Sequence, residues 1–212
     1  GAFCAGGDVK GFAASHKSAG SSRPVSAEQG INRLRTIQRQ VSLAIRRLPQ
    51  PVVASFPGAA AGAGLSIGFA ADLRIAAERA IIVTAFANIG ASGDFGTSWF
   101  LPRIVGEAKA KELMFMSPRL SARDALSMNI VNAVLPNEGY EEAALSWCHE
   151  LASRAPVALQ YIKQNINRSL EVPLETALDA EAVAMVRTMG TADHREASAA
   201  FVEKRPAKFT GS

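Results

Sequence analysis

Two stretches of this chain are stripped of bulky side chains. The first is Gly1-Ala2-Phe3-Cys4-Ala5-Gly6-Gly7-Asp8. The second, Pro57-Gly58-Ala59-Ala60-Ala61-Gly62-Ala63-Gly64, follows the apolar run Pro51-Val52-Val53-Ala54-Ser55-Phe56. With no Cβ branch in the way, main chain can approach a ligand closely. Where such a turn enters a helix, unsatisfied N–H groups and the positive end of the helix dipole face the same region. Two N–H groups of this kind, aimed at one carbonyl oxygen, can hold the negative charge that oxygen gathers in a transition state. Loss of one donor typically costs on the order of 10²–10³ in rate. Taken singly, each turn reads more readily as a tight turn and close helix packing.

A third candidate is Asp94, in Gly93-Asp94-Phe95-Gly96. Its neighbours Ile89, Phe95 and Phe100 are apolar, which leaves a carboxylate poorly hydrated and raises its pKa towards the range of a general base. The competing reading is a loop aspartate that closes a turn or caps a helix. Asp8, directly after the first turn, is placed to accept N–H groups at the head of the next segment. The histidines, His16, His149 and His194, read as surface or interface residues.

The ordered set of motifs resembles the crotonase (enoyl-CoA hydratase/isomerase) family. The likeness begins in Phe3-Cys4-Ala5-Gly6-Gly7-Asp8 and Pro57-Gly58-Ala59-Ala60-Ala61-Gly62-Ala63-Gly64, then Ala71-Asp72-Leu73-Arg74-Ile75-Ala76. It continues through Phe95-Gly96-Thr97-Ser98-Trp99-Phe100-Leu101-Pro102-Arg103-Ile104-Val105-Gly106, Leu120-Ser121-Ala122-Arg123-Asp124-Ala125 and Val131-Asn132-Ala133-Val134. It ends near Phe201-Val202-Glu203-Lys204-Arg205. The resemblance implies an α/β fold, a spiral of stacked ββα units with a C-terminal helical region that packs between subunits of a homotrimer or dimer of trimers. It implies an acyl-CoA thioester as substrate, with coenzyme A entering as part of that substrate and no prosthetic group. Gly7 and Ala63 are the implied oxyanion donors. Ala5 and Cys4 fall where main chain meets the adenine of coenzyme A, and Lys208 and Phe209 lie in a tail that reaches the same cofactor portion. A family motif at Gly1 also implies that a strand-helix-strand unit normally precedes it.

The acid-base positions depart from the family pattern. Hydratases of the family hold a water molecule between two glutamates; here those places in the acyl pocket read Ser66 and Phe86, neither of which can abstract a proton. Asp94 stands where isomerases carry their acid. The resemblance therefore implies double-bond isomerisation of an enoyl-CoA, with Asp94 moving the proton. Hydration, with Asp94 or a residue outside the chain handling the water, is the alternative. A non-catalytic acyl-CoA-binding member that lost its glutamates is another. Attack on carbon by Asp94, as in aryl-CoA dehalogenases, is weakened by the absence of histidine from the helix at Glu28–Leu48 and by Phe86 in place of tryptophan.

The elements that must position these residues follow from periodicity. Ile31, Leu34, Ile37, Val41, Ala44, Ile45 and Leu48 recur at helical spacing over Glu28–Leu48, with Arg33, Arg35, Arg39, Arg46 and Arg47 on a solvated outer face. Pro49 and Pro51 stop that helix. The Ser- and Ala-rich piece from Ala13 to Ala27 reads as a mobile loop, which the resemblance makes a lid over the acyl pocket. Strands are expected at Val52–Phe56, Leu73–Ala76, Ile81–Ala85 and Ile130–Leu135, and helices at Gly64–Ala71 and Glu107–Met116. Ser121-Ala122-Arg123-Asp124 has capping-box spacing. Four further helices are expected: Glu141–Ser153, Pro156–Ser169, Leu174–Met189 and Asp193–Glu203. The last residues are expected to fray.

Bulk properties bound the reading. With 212 residues and 48% apolar content, the chain can bury a core of its own. Residues 1–140 read as the catalytic core and 141–212 as the helical region. A net charge of +4 is spread along the chain, and no basic motif interleaved with aromatics supports nucleic-acid binding. Two cysteines make no disulfide framework and suit a reducing cytoplasm. No apolar stretch has membrane-spanning length.

Overall fold

The computed structural model describes residues 1–8, 10, 11 and 26–212. The expected lid, from residue 13 to 25, and His16 with it, lie outside the described residues. The chain gathers into two units. One is Gly1–Arg47 with Val52–Ala143; the other is Leu48–Pro51 with Ala144–Ser212.

The first unit begins with helix α1 (Ala27–Gln38), a π-helical turn (Arg39–Leu43) and α2 (Ala44–Arg47). Ser26 caps α1, its hydroxyl accepting the Gln29 N–H while the Gln29 side chain accepts the Ser26 N–H. That reciprocal pair satisfies two orphan donors. It also makes Ser26 and Ala27 part of a helix start, where the sequence suggested the end of a loop. No residue of α1 is buried, and Ile31 and Leu34 are exposed. The basic stripe is not wholly solvated either, because the Arg46 guanidinium lies over the Trp99 ring at 5.3 Å. Cation–π attraction and burial of the aliphatic stem account for that placement.

Six strands follow, shared between two sheets. β1 (Val53–Phe56), β3 (Leu73–Ala77) and β6 (Ala133–Leu135) form one, in the order β1-β3-β6, with both pairings parallel. β2 (Ala60–Ala61), β4 (Ile81–Val83) and β5 (Leu120–Ser121) form the other; β2 runs parallel to β4, and β4 antiparallel to β5. The first four strands thus go alternately to the two sheets, and each of these two pairs is followed by a helix: α3 (Gly62–Phe69) after β2, then α4 (Thr97–Val105) and α5 (Glu107–Met116) after β4; β5 joins the sheet of β4, and a helix separates it from β6. This is the ββα repetition expected of the core. α6 (Ala122–Ser127) carries the anticipated capping box, with Ser121 and Asp124 bonded reciprocally.

Parallel strands covered on both faces read as continuous apolar runs, and β3 shows why. Ile75, Ala76 and Ala77 have no exposed surface. Phe56, Leu65, Ile82, Leu101, Ile130 and Val131 fill the space around the sheets. One charge lies among them. Arg74 donates from Nε to the Ile130 carbonyl at 2.6 Å and from Nη1 to the Ala71 carbonyl at 3.0 Å. Burial lowers its pKa to about 10, against the opposing pull of Asp72. Two strands are shorter than their β-rich sequence implies, β4 ending sooner and β6 beginning later. Ala85, at φ +62°, turns the chain away after β4, and Ile130 and Val131 donate to the Ala125 carbonyl as the end of a helical turn before β6 begins.

The second unit is helical: most of α7 (Tyr140–Ala152), then α8 (Pro156–Ser169), α9 (Leu174–Met189) and α10 (Ala192–Glu203). α8 opens on Pro156, whose missing N–H is one of the orphans of a first turn. Val183, Met185, Val186 and Met189 on α9 are all about half exposed or more. The expected fraying of the C-terminus is not found. Asp193, 2% exposed, accepts the Thr210 N–H at 2.7 Å and the Gly211 N–H at 2.9 Å, while the Ser212 carbonyl accepts from Ala192 at 2.7 Å. A carboxylate at a helix start that gathers main-chain donors ties the tail down. Among the described residues, no helix is long and apolar enough to cross a membrane.

Candidate active site

The two small-residue turns, more than fifty positions apart in the chain, lie side by side. Phe3 and Cys4 donate their N–H groups to the Ala59 carbonyl at 2.9 and 3.2 Å, and Ala61 donates to the Cys4 carbonyl at 2.9 Å. Cys4 pairs with Ala60 as a parallel bridge, so the first turn leaves from the edge of β2. The Phe3 ring packs edge-on against Phe56 at 4.8 Å, which fixes the approach. Here the small residues are needed. A Cβ on Gly6, which has φ +89°, would stand 2.9 Å from the Ala61 carbonyl oxygen and 3.6 Å from the Ala63 nitrogen. A Cβ on Gly64 would stand 2.5 Å from Cys4 Cβ and 2.8 Å from its carbonyl oxygen.

Ala63 is the second residue of α3, where a main-chain N–H has no intrahelical acceptor. Neither Gly7 nor Ala63 donates a main-chain hydrogen bond to another described residue. Gly7 and Ala5 are exposed and Cys4 is half-buried. Asp8 does what its position implied: its Oδ1 accepts the Gly11 N–H at 2.8 Å.

The close contact at Gly64 yields a test of the packing. Gly64→Ala forces the Cys4 main chain away from α3, since Cys4 Cβ and the Cys4 carbonyl oxygen, which no side-chain rotation moves, are in the way. Overpacking of this kind costs roughly 1–3 kcal/mol. At about 2–4 °C per kcal/mol for a chain of this size, a thermal melt should show a clear fall in midpoint. An unchanged midpoint would mean that the first turn does not sit against the helix as described.

Asp94 lies in the loop between β4 and α4. The backbone there is held left-handed repeatedly, at Gly90 (φ +68°), Gly93 (+107°), Phe95 (+48°) and Gly96 (+87°). Gly93 fits against Met114, whose Cε would lie 3.2 Å from an added Cβ. Asp94 Oδ1 is enclosed and has no hydrogen-bond partner among the described residues. Desolvation pushes the Asp94 pKa above its ordinary value. A buried acceptor without a partner is rare in native proteins and asks for a reason.

Ser66 has no exposed surface, and Phe86 is 6% exposed. The Ser66 hydroxyl donates to the Gly62 carbonyl at 3.1 Å and is bonded to the Thr97 hydroxyl. Thr97 in turn donates its N–H to the Asp94 carbonyl at 3.1 Å. A short relay of hydrogen bonds therefore joins the turn at Gly62–Ala63 to the loop that carries Asp94. Sequence reasoning missed Thr97, along with Gln38 and Ser42. The Gln38 Oε1 accepts the Phe95 N–H at 2.8 Å, and the Ser42 hydroxyl donates to the Phe95 carbonyl at 2.8 Å. All three act through long-range bonds that leave no local spacing to read.

Lys208 and Phe209 belong to the second unit. Lys208 donates its main-chain N–H to Glu196 at 2.9 Å, and Arg205 forms a bidentate pair with the same carboxylate at 2.6 and 2.9 Å. That fork holds the Glu196 pKa down at about 2. His149 and His194 are exposed.

The profile of the family described as Enoyl-CoA hydratase/isomerase matches residues 1–212. A 1,2-epoxyphenylacetyl-CoA isomerase of Escherichia coli (strain K12) is 34% identical over 209 residues, which cover 99% of this chain and 77% of that protein. A mitochondrial methylglutaconyl-CoA hydratase of Rattus norvegicus is 34% identical over 220 residues, covering all of this chain and 65% of the relative. Among solved structures, an enoyl-CoA hydratase from Polaromonas sp. JS666 superposes with a TM-score of 0.87 at 33% identity, covering 99% of this chain and 78% of that one.

Proposed function

The chain belongs to the enoyl-CoA hydratase/isomerase family, and from that premise we propose that it shifts the double bond of an enoyl-CoA thioester, with Asp94 as the group that carries the proton. The observation that carries this reading is the enclosed, unpartnered Oδ1 of Asp94, beside family glutamate places filled by a bonded serine and a buried phenylalanine.

In the proposed step the Asp94 carboxylate takes the C2 proton of a 3-enoyl thioester. The electron pair released from that C–H bond delocalises through the double bond and the carbonyl, giving a dienolate with its charge on the thioester oxygen. The N–H groups of Gly7 and Ala63 hold that oxygen, a contribution of the oxyanion-hole type. Asp94 then returns the proton to C4, leaving a 2-enoyl thioester and a regenerated carboxylate. Ala5 and Cys4 belong to the proposal as contacts for the adenine end of coenzyme A, and Lys208 and Phe209 as further contacts from the tail. Phe86 belongs to the proposal as part of the wall against the acyl chain, and Ser66, with no exposed surface, supports that pocket from within through its bonds to Gly62 and Thr97. Assembly as a homotrimer or dimer of trimers is proposed on the exposed apolar residues of α9, and a cytoplasmic setting on the free cysteines.

Hydration is the second reading, favoured by relatives named as hydratases and opposed by the missing pair of glutamates. The test is turnover of purified protein against a panel of 2-enoyl and 3-enoyl thioesters, followed by absorbance of the conjugated product and by deuterium exchange at C2. Isomerisation predicts conjugated product from 3-enoyl substrates. Water addition to 2-enoyl substrates without any isomerisation would replace the proposal with hydration. Neither turnover nor exchange at any chain length would make the protein a binder of acyl-CoA.

A further inference from the structure

We infer that Gln38 and Ser42 are positioning residues that clamp the main chain next to Asp94; the inference rests on Asp94 being the proton carrier. The two side chains come from the end of α1 and the π-helical turn that follows it, and they take both polar groups of one peptide residue. Gln38 accepts the Phe95 N–H and Ser42 donates to the Phe95 carbonyl, each at 2.8 Å. Ser42 is 5% exposed, so its bond is shielded from competing water. Turns of the π type inside helices are often found at functional sites.

What the clamp holds is a backbone that the sequence alone disfavours. Phe95 has φ +48°, a left-handed conformation that is an outlier for a bulky residue. Such conformations persist only where the surroundings impose them, and they gather at active sites. Gly93 and Gly96 on either side reach positive φ without help, but Phe95 does not. With Phe95 pinned at N–H and carbonyl, and the Asp94 carbonyl taken by the Thr97 N–H, the carboxylate keeps little freedom beyond its own side-chain torsions. The clamp thus turns a glycine-rich loop into a rigid mount that aims an acid with one enclosed oxygen.

The test is steady-state kinetics of the whole chain on a 3-enoyl thioester. Gln38→Met keeps the length of the side chain and removes the acceptor; Ser42→Ala removes the donor. Each should lower kcat by roughly tenfold to a hundredfold, as small misplacements of reacting groups do, while KM stays near that of the parent. Phe95→Gly should make the left-handed backbone intrinsic, so Gln38→Met should cost much less kcat in that background. A merely structural role would lower the melting midpoint and cost the same with or without Phe95→Gly. Unchanged kcat in both Gln38→Met and Ser42→Ala, or an equal loss in the two backgrounds, overturns the clamp. Asp94→Asn run in parallel separates the two claims. If it turns over like the parent, Asp94 is not the proton carrier and the clamp has nothing to aim; if it is inactive while the clamp variants are unaffected, only the clamp fails.

Discussion

Asp94→Asn should lower turnover on enoyl thioesters by about 10²–10⁴-fold, the range that a positioned general base contributes, and leave thioester binding nearly intact. Asparagine copies the shape of the carboxylate and keeps an oxygen in the enclosed position, but it cannot take a proton. Retention of full turnover on every substrate the parent accepts would remove Asp94 from the reaction. The pH dependence has a defined sign. The base must be ionised to act, and desolvation raises its pKa above the ordinary 3.8. The acid limb of kcat should therefore fall at a higher pH than an ordinary solvated aspartate would give.

The same shift makes a separate statement about stability. With the folded-state pKa raised, the folded protein binds the Asp94 proton at pH values where the unfolded chain has released it. Stability then falls as pH rises through the interval above 3.8, and at neutral pH the ionised carboxylate is a net cost to the fold. Asp94→Asn should accordingly melt higher than the parent at neutral pH, with the gap closing as the solution is acidified below that interval. A variant that loses rate and gains stability is the signature of a strained functional group. If Asp94 served instead as a turn or cap residue, its loss would lower the melting midpoint, and the two roles separate on that sign alone.

What was legible in the sequence and what was not divides along the range of the interactions. The helices at Pro156–Ser169 and Leu174–Met189 were readable because their signals are local: a first-turn proline and an apolar period in the one, an apolar period and charged ends in the other. The Ser121–Asp124 cap was readable for the same reason. α4 was not: it starts from a left-handed Gly96 without a side-chain cap and carries Pro102 in its interior, two signals that ordinarily argue against a helix. β2 and β5 have two residues each, too few to show any period. The π-helical turn breaks no apolar spacing, so the run from Glu28 to Leu48 looked like one regular helix. In the site itself, the meeting of the two small-residue turns could be anticipated from their composition. The hydroxyl pair Ser66–Thr97 and the clamp on Phe95 could not, because each joins residues dozens of positions apart through one atom on each side.

The meeting of the turns carries the second large prediction. If the N–H of Ala63 holds the oxygen of a forming enolate, then removing that one hydrogen should slow the reaction by about 10²–10³-fold. Ala63→Pro removes it and sets the ring Cδ in its place, so that range is the least loss expected. Position 63 is second in α3, after Ala61 as N-cap, and proline is tolerated in a first turn because its missing N–H had no helical partner. The residue before a proline avoids the right-handed helical region, and Gly62 already sits at φ +51°. The fold should therefore survive, with a melting midpoint near that of the parent. Ala63→Ser, which keeps the N–H, serves as the control for altered bulk and should retain turnover. The comparison with Asp94→Asn is informative because the two variants fail differently. Asp94→Asn lacks the base, so C2 exchange should vanish; Ala63→Pro keeps the base but leaves the enolate oxygen short of a donor, so exchange and turnover should fall together and remain measurable. If the proline variant turned over at the parental rate while binding substrate normally, the thioester oxygen would not be held at position 63, and stabilisation of an enolate by this pair of turns would have to be abandoned even with Asp94 in its role.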